Sequence, residues 1–136
     1  MSEKVSVNFE GIETLPVQNV IEFFRSNGYE VSDDLAEFYS KYNGGHGDVG
    51  DDVYMEVWNL NEIMELNKMY SVSENINNVL IFGSDGADMA LGYDYKENKY
   101  LIVPFIGMGF LEPLYYLGDD YESFFDNLLE YFEDDE

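Results

Sequence analysis

Residues 79–104 read VLIFGSDGADMALGYDYKENKYLIVP and contain three strand-like segments in succession. The first, residues 79–82, is a continuous apolar run, which is typical of a strand buried on both faces. The second, residues 89–95, alternates large and small side chains with the period of a strand. A polar turn at 96–98 then predicts a hairpin with a third strand over 99–103. Short connections between these segments predict a largely antiparallel sheet.

Helical periodicity precedes the strands. Apolar stripes predict two helices, one ending at Gly28 and one that is capped by Ser32 and stops at Asn43-Gly44-Gly45. The Gly/Asp-rich residues that follow are predicted to form a loop, and a strand is predicted over 53–58. We expect Asn61 to cap a third helix.

A short strand over 114–117 and a final helix opened by Asp119 and Asp120 complete the predicted order. Strands cluster in the middle of the chain and helices flank them, so the fold class is α+β, with a largely antiparallel mixed sheet. We expect a single domain over residues 1–136, with a core from about 15 to 132 and an acidic tail over 133–136.

The chain is strongly acidic. Its 136 residues carry 29 Asp+Glu and 6 Lys+Arg, a formal net charge of −23. Nucleic acids and anionic membrane surfaces are recognised through Lys and Arg, so we expect neither as a partner. The aromatic content of 17% argues against disorder, because disordered chains are poor in aromatic residues.

Few side chains suited to catalysis are present. The chain has no Cys and one His, His46, which excludes disulfides, thiolate sites and a histidine zinc cluster. We predict that His46 is an exposed loop residue, and that the protein is not an enzyme and uses no cofactor or metal. A small acidic enzyme and a Ca²⁺-binding protein remain alternatives, since Asp and Glu are plentiful, but the acidic spacing does not match an EF-hand.

The first residues, Met1 to Val5, lack the apolar core of a signal peptide, and no apolar stretch reaches membrane-helix length. We therefore expect a cytoplasmic protein.

Several short motifs occur in a characteristic order. They are Leu35, Phe38 and Tyr42 leading to Asn43-Gly44-Gly45, then Trp58, Glu62-Ile63 and Asn67-Lys68, then Ile81-Phe82-Gly83-Ser84-Asp85-Gly86, Tyr93-Asp94 and Val103-Pro104-Phe105-Ile106-Gly107, and last 123–129. Together these motifs, from about Leu15 to Phe132, resemble the SUKH superfamily, also called the Smi/Knr family. The resemblance implies a bacterial immunity protein, an antitoxin that binds and neutralises a cognate toxin domain, often a nuclease. Some relatives serve regulation instead, so a regulatory or scaffold interaction module is the alternative.

The acidic residues are unevenly distributed. From Tyr100 to Glu136 the chain has ten acidic residues and no Lys or Arg. Charge of one sign keeps a protein soluble, but it also steers association with a basic partner. We expect the partner to be a basic nuclease domain and the protein itself to be a monomer or weak homodimer. The predicted partner contacts are Asp48, Asp51, Asp52, Asp85, Asp88, Glu112 and Tyr116.

For Asp85 and Trp58, the sequence leaves open both a structural role and a role in partner binding. Asp85 is expected either to bond backbone groups of its own turn or to contact the partner. Trp58, as the only Trp, is expected in the core, with an interface anchor as the alternative.

Overall fold

A computed structural model describes residues 8–11, 14–49, 53–70, 72, 78–86, 88–104 and 115–134. Within these residues the fold is α+β, with four helices and seven strands. Their order is β1 (Asn8–Gly11), α1 (Val17–Ser26), α2 (Asp33–Lys41), β2 (Gly45–Val49), β3 (Val53–Val57), α3 (Leu60–Met69), β4 (Val79–Ser84), β5 (Met89–Asp94), β6 (Lys99–Pro104), β7 (Tyr115–Gly118) and α4 (Tyr121–Asp134). None of the helices among the described residues is long and apolar enough to cross a membrane.

The seven strands form one sheet in the order β1-β2-β3-β4-β5-β6-β7, and every neighbouring pair is antiparallel. Each strand therefore lies beside its neighbours in sequence, as short connections favour. The prediction of an antiparallel sheet flanked by helices is confirmed. The three strands predicted within residues 79–104 are β4, β5 and β6.

The sheet opens between β3 and β4. These two strands pair only at Glu56↔Ser84 and Val57↔Gly83. Beyond that point α3 lies along β4, and the buried side chain of Asn67 takes the place of a neighbouring strand. Its amide nitrogen donates to the Ile81 carbonyl at 2.7 Å, and its oxygen accepts from the Ile81 N–H at 2.8 Å. Asn67 therefore holds α3 against the sheet.

Local sequence accounts for the helix starts. The Ser32 hydroxyl accepts from the Leu35 N–H and caps α2, as predicted. The cap of α3 is Asn59, not Asn61, so that prediction is wrong. The Asn59 side chain accepts from the Glu62 N–H, while the Glu62 carboxylate accepts from the Asn59 N–H. This reciprocal capping box satisfies two N–H groups at once, which Asn61 cannot do from inside the first turn.

The core lies between the sheet and helices α2 and α4, and it is largely aromatic. Phe38 of α2 stacks on Phe125 of α4 with ring centroids 5.7 Å apart, and contacts Phe82 of β4 at 6.2 Å. Phe124 packs on Tyr100 of β6 at 5.4 Å. Each buried aromatic ring adds a large apolar area and an oriented contact, so this cluster fixes how both helices sit on the sheet.

The structure corrects two further expectations. β2 occupies residues that were predicted to be a loop, because the glycines at 45 and 47 give no alternating pattern although their backbones pair with β1 and β3. His46 is exposed, as predicted, but lies in this strand. Tyr39 and Tyr93 are fully buried, and their hydroxyls donate to the Trp58 carbonyl and to the Asn98 side chain, as buried polar groups require.

Candidate functional site

A groove lies between the β2–β3 hairpin and α3. In β3, Met55 and Val57 are buried in the core. Alternation along a strand therefore places Tyr54 and Glu56 on the opposite face. His46 is the ladder partner of Glu56 in β2, which brings a third side chain to the same face. These residues form the sheet side of the groove.

The helix side of the groove comes from α3 and its end. Glu62, Leu66 and Tyr70 line the groove, and their spacing of four residues puts them on one helix face. Ile63 and Asn67, on another face of the same helix, are buried. The groove thus uses a more exposed face of α3, although Leu66 on this face also packs against the core.

The groove has a volume of about 380 Å³, and the indole of Trp58 contributes to its lining. Trp58 is only 7% exposed and belongs to the core, which confirms that prediction. Tyr54 and Tyr70, by contrast, are 41% and 42% exposed. The groove is therefore lined by one buried aromatic residue, Trp58, and by two accessible ones, Tyr54 and Tyr70.

The charged groups of the groove are mainly acidic: two carboxylates, Glu56 and Glu62, lie beside one imidazole, His46. The Tyr54 hydroxyl lies 3.5 Å from Glu56 Oε2, and Glu62 uses Oε1 to accept from the Asn59 N–H. Each carboxylate has about four acceptor positions, so both retain capacity for a further donor. No Lys or Arg lines the groove among the residues that the structure describes. The charge of Glu62 also adds to burial in raising the pKa of Tyr39 well above its ordinary value.

The turn between β4 and β5 borders this groove. A Cβ on Gly86 would lie 2.8 Å from the Tyr54 ring, so the tyrosine packs directly over this glycine. Asp85 accepts from the Met89 N–H at 3.2 Å through Oδ1. The expectation that Asp85 bonds backbone groups of its own turn is confirmed, and its alternative as a partner contact stays a prediction. Asp88, in the same turn, is exposed.

The other predicted contacts are dispersed. Asp48 lies in β2 as the ladder partner of Tyr54, so its backbone adjoins the groove. Asp51, Asp52 and Glu112 lie outside the described residues. Tyr116 is in β7, four strands from β3 in the sheet order, which is roughly 19 Å at about 4.8 Å per strand. It does not join the groove.

Tyr116 instead takes part in a hydrogen-bond cluster around Asp94. This buried carboxylate accepts from the N–H groups of Lys96 and Glu97 and from the Tyr116 hydroxyl at 2.8 Å. Burial, with the hydrogen bond to Asp94, raises the pKa of Tyr116 to about 12. The cluster closes the β5–β6 turn and ties β7 to it, so the Tyr116 hydroxyl has a structural partner although the ring is exposed.

A second carboxylate, Asp34, joins three elements. Its Oδ2 accepts from the Tyr100 hydroxyl at 2.7 Å and from the Tyr121 N–H at 2.9 Å. Burial raises the pKa of Asp34, against the lowering effect of these two hydrogen bonds. Burial and the same carboxylate raise the pKa of Tyr100 far above its ordinary value. This pair connects α2, β6 and the start of α4.

Sequence reasoning missed most of the groove. The alternation in residues 53–57 contains the signal, since it puts Tyr54 and Glu56 on one face. The four-residue spacing of Glu62, Leu66 and Tyr70 is a second signal. The prediction of a loop over the residues of β2 misses the β2–β3 hairpin, and it is this hairpin that faces α3 and brings the two patterns together.

No group of three or more acidic or histidine side chains among the described residues is arranged to hold a metal ion. No model of a known protein family matches the chain. A search of curated proteins also finds no significant match.

Proposed function

We propose that this protein is a non-enzymatic immunity protein that acts in the cytoplasm, where it binds a cognate basic toxin domain, most simply a nuclease, and occludes its substrate-binding surface. The observation that carries the proposal is the net charge of −23 on 136 residues. A nuclease domain binds a polyanion and is therefore basic on its working surface. An acidic protein competes for that surface directly.

Charge complementarity favours fast association with the toxin as well as affinity for it. Opposite potentials raise association rate constants toward roughly 10⁸–10⁹ M⁻¹s⁻¹ at low salt, against about 10⁵–10⁶ M⁻¹s⁻¹ for neutral pairs. An inhibitor that must reach a toxin before the toxin reaches nucleic acid benefits from the faster rate. The same charge would repel DNA and RNA, so the protein itself has no affinity for the toxin's substrate.

The resemblance to the SUKH superfamily supports the same function. Its motifs fall, in chain order, at the end of α2, at the start of and within α3, in β4 with its turn, at the end of β5 and of β6, and in α4. We therefore assign the α+β domain to the SUKH type as part of the proposal. The regulatory or scaffold module of the same fold is the competing assignment.

Co-expression tests the proposed function. Cells are made to express the basic toxin domain encoded beside this chain, with and without the protein. We expect the protein to restore growth and to co-purify with the toxin as a complex. If growth is not rescued and no complex forms, the immunity function is wrong. A gene with no toxin-like neighbour would favour the regulatory module.

A further inference from the structure

We propose that the groove between the β2–β3 hairpin and α3 is the docking site for an arginine side chain of the basic partner, an inference that rests on the proposed function. The groove combines accessible aromatic rings, carboxylates with acceptor capacity left over, and a described lining without Lys or Arg. An arginine guanidinium is the protein group that uses all three.

The volume of the groove can hold one long side chain. Its volume of about 380 Å³ corresponds to about a dozen water molecules at ~30 Å³ each. That is more space than the non-hydrogen atoms of one arginine side chain need. Leu66 and Trp58 supply apolar surface for the methylene stem, and burying such a stem is how arginine contributes packing as well as charge.

The aromatic walls suit a planar cation. Tyr54 and Tyr70 both line the groove, and each exposes about two-fifths of its surface in total. A guanidinium stacks on an aromatic face through cation–π attraction and through its flat shape. Aromatic residues and arginine are also the side chains that most often dominate protein interfaces.

The carboxylates complete the match. Glu56 Oε2 lies a long 3.5 Å from the Tyr54 hydroxyl, and Glu62 uses one oxygen for its capping bond. A guanidinium presents several N–H donors in a rigid fork and can bond a carboxylate through two of them. A lysine ammonium carries the charge without the planar fork, so arginine fits better.

A second copy of this chain is a poor occupant. Two molecules that each carry a charge of −23 repel one another at close range. Among the described residues, the groove is lined by two carboxylates, the imidazole of His46 and no Lys or Arg, so its carboxylates outnumber its one basic side chain. Charge complementarity therefore selects a basic partner.

The inference is tested with a chemical probe that needs no toxin. The ¹⁵N-labelled protein is titrated with a blocked glycine–serine pentapeptide that has one central arginine. The matched control peptide carries citrulline, the neutral isostere of arginine. We expect saturable shift changes in the backbone signals of Tyr54, Glu56 and Tyr70 and in the Trp58 indole N–H. Citrulline should bind roughly five- to tenfold more weakly, since two exposed ion pairs are lost.

Matched variants separate the groove from the general acidity of the protein. Glu56→Gln should weaken arginine-peptide binding roughly three- to fivefold. Glu130→Gln removes the same charge from an exposed position on α4, which packs against β7, and should change binding less than ~1.5-fold because salt screens distant charges. Tyr70→Leu should weaken binding roughly two- to fivefold through loss of cation–π attraction, and Met69→Leu should leave it unchanged.

Four results would overturn the inference. The shift changes could spread over the whole acidic surface, the citrulline peptide could bind as well as arginine, or Glu56→Gln and Glu130→Gln could have equal effects. Concentration-dependent shifts at the groove without any peptide would identify a second copy as the occupant and also overturn it. Growth rescue by co-expression, with no groove response to the peptide, would leave the proposed function standing and remove only this docking site.

Discussion

Replacing Asn67 by alanine should destabilise the protein by roughly 3 kcal/mol. The side chain makes three buried hydrogen bonds, two to Ile81 and one to the Ile63 carbonyl. Alanine leaves the N–H and C=O of Ile81, a fully buried residue, without these partners, at about 1–3 kcal/mol for each group. The better helix propensity of alanine returns about 0.5 kcal/mol. For 136 residues, a loss of roughly 3 kcal/mol lowers Tm by roughly 10 °C.

Urea denaturation followed by the fluorescence of Trp58 measures this loss, because Trp58 is the only Trp and is 7% exposed. The control is Asn61→Ala, an exposed position on the same helix, which should change stability by less than about 0.5 kcal/mol. The denaturant slope should be the same in both variants. A loss below about 1 kcal/mol for Asn67→Ala, with an unchanged slope, would refute the idea that this amide replaces a strand.

Three further outcomes are expected. Asp94→Asn should cost about 1–3 kcal/mol by weakening charge-assisted hydrogen bonds, and should lower the pKa of Tyr116 from about 12, measured by NMR titration of ¹³C-labelled tyrosine. Gly86→Ala should cost about 1 kcal/mol more than Gly28→Ala in thermal unfolding, because both glycines have positive φ (+81° and +90°) but only Gly86 lies under a tyrosine ring. The free energy of unfolding should fall above about pH 10. Burial raises the pKa of Tyr100 in the folded state, so at this pH the unfolded chain loses the phenol proton of Tyr100 while the folded protein keeps it. The expected slope is about 1.4 kcal/mol per pH unit for each such tyrosine.

Each of these outcomes has a clear contrary result. An unshifted Tyr116 titration in Asp94→Asn would mean that the carboxylate does not hold the phenol. Equal losses for Gly86→Ala and Gly28→Ala would mean that backbone strain alone limits these positions. For the alkaline loss, Tyr100→Phe should have a slope shallower by about 1.4 kcal/mol per pH unit, and an unchanged slope would contradict the burial of that hydroxyl.

Hydrophobic periodicity predicts much of the fold because the segments that show it bury one face or both. The run at 79–82 and the hairpin around 96–98 correspond to β4, β5 and β6. The strand β2 has no such pattern, since Gly45 and Gly47 bring backbone hydrogen bonds without side chains. A glycine-rich strand such as β2 therefore has no hydrophobic pattern from which it could be predicted.

The site was harder to predict than the fold. Acidity marks Asp85 and Asp88 in the sequence, yet acidity does not say which carboxylates lie beside aromatic rings. Asp94 illustrates the limit, because the alternation over residues 89–95 predicts only a strand position, whereas its carboxylate is buried and accepts three hydrogen bonds. The groove depends on how α3 lies beside the hairpin, and the long-range bonds of Asn67 to Ile81 fix α3 against the adjacent strand β4.

The proposed recognition of a basic toxin domain can be measured by isothermal titration calorimetry of the purified protein with the candidate toxin domain, at 50 mM and 300 mM salt. We expect a 1:1 complex at the lower salt, and an affinity at least roughly tenfold weaker at the higher salt, because screening reduces the attraction between opposite charges. Absence of binding at 50 mM salt would contradict this proposal.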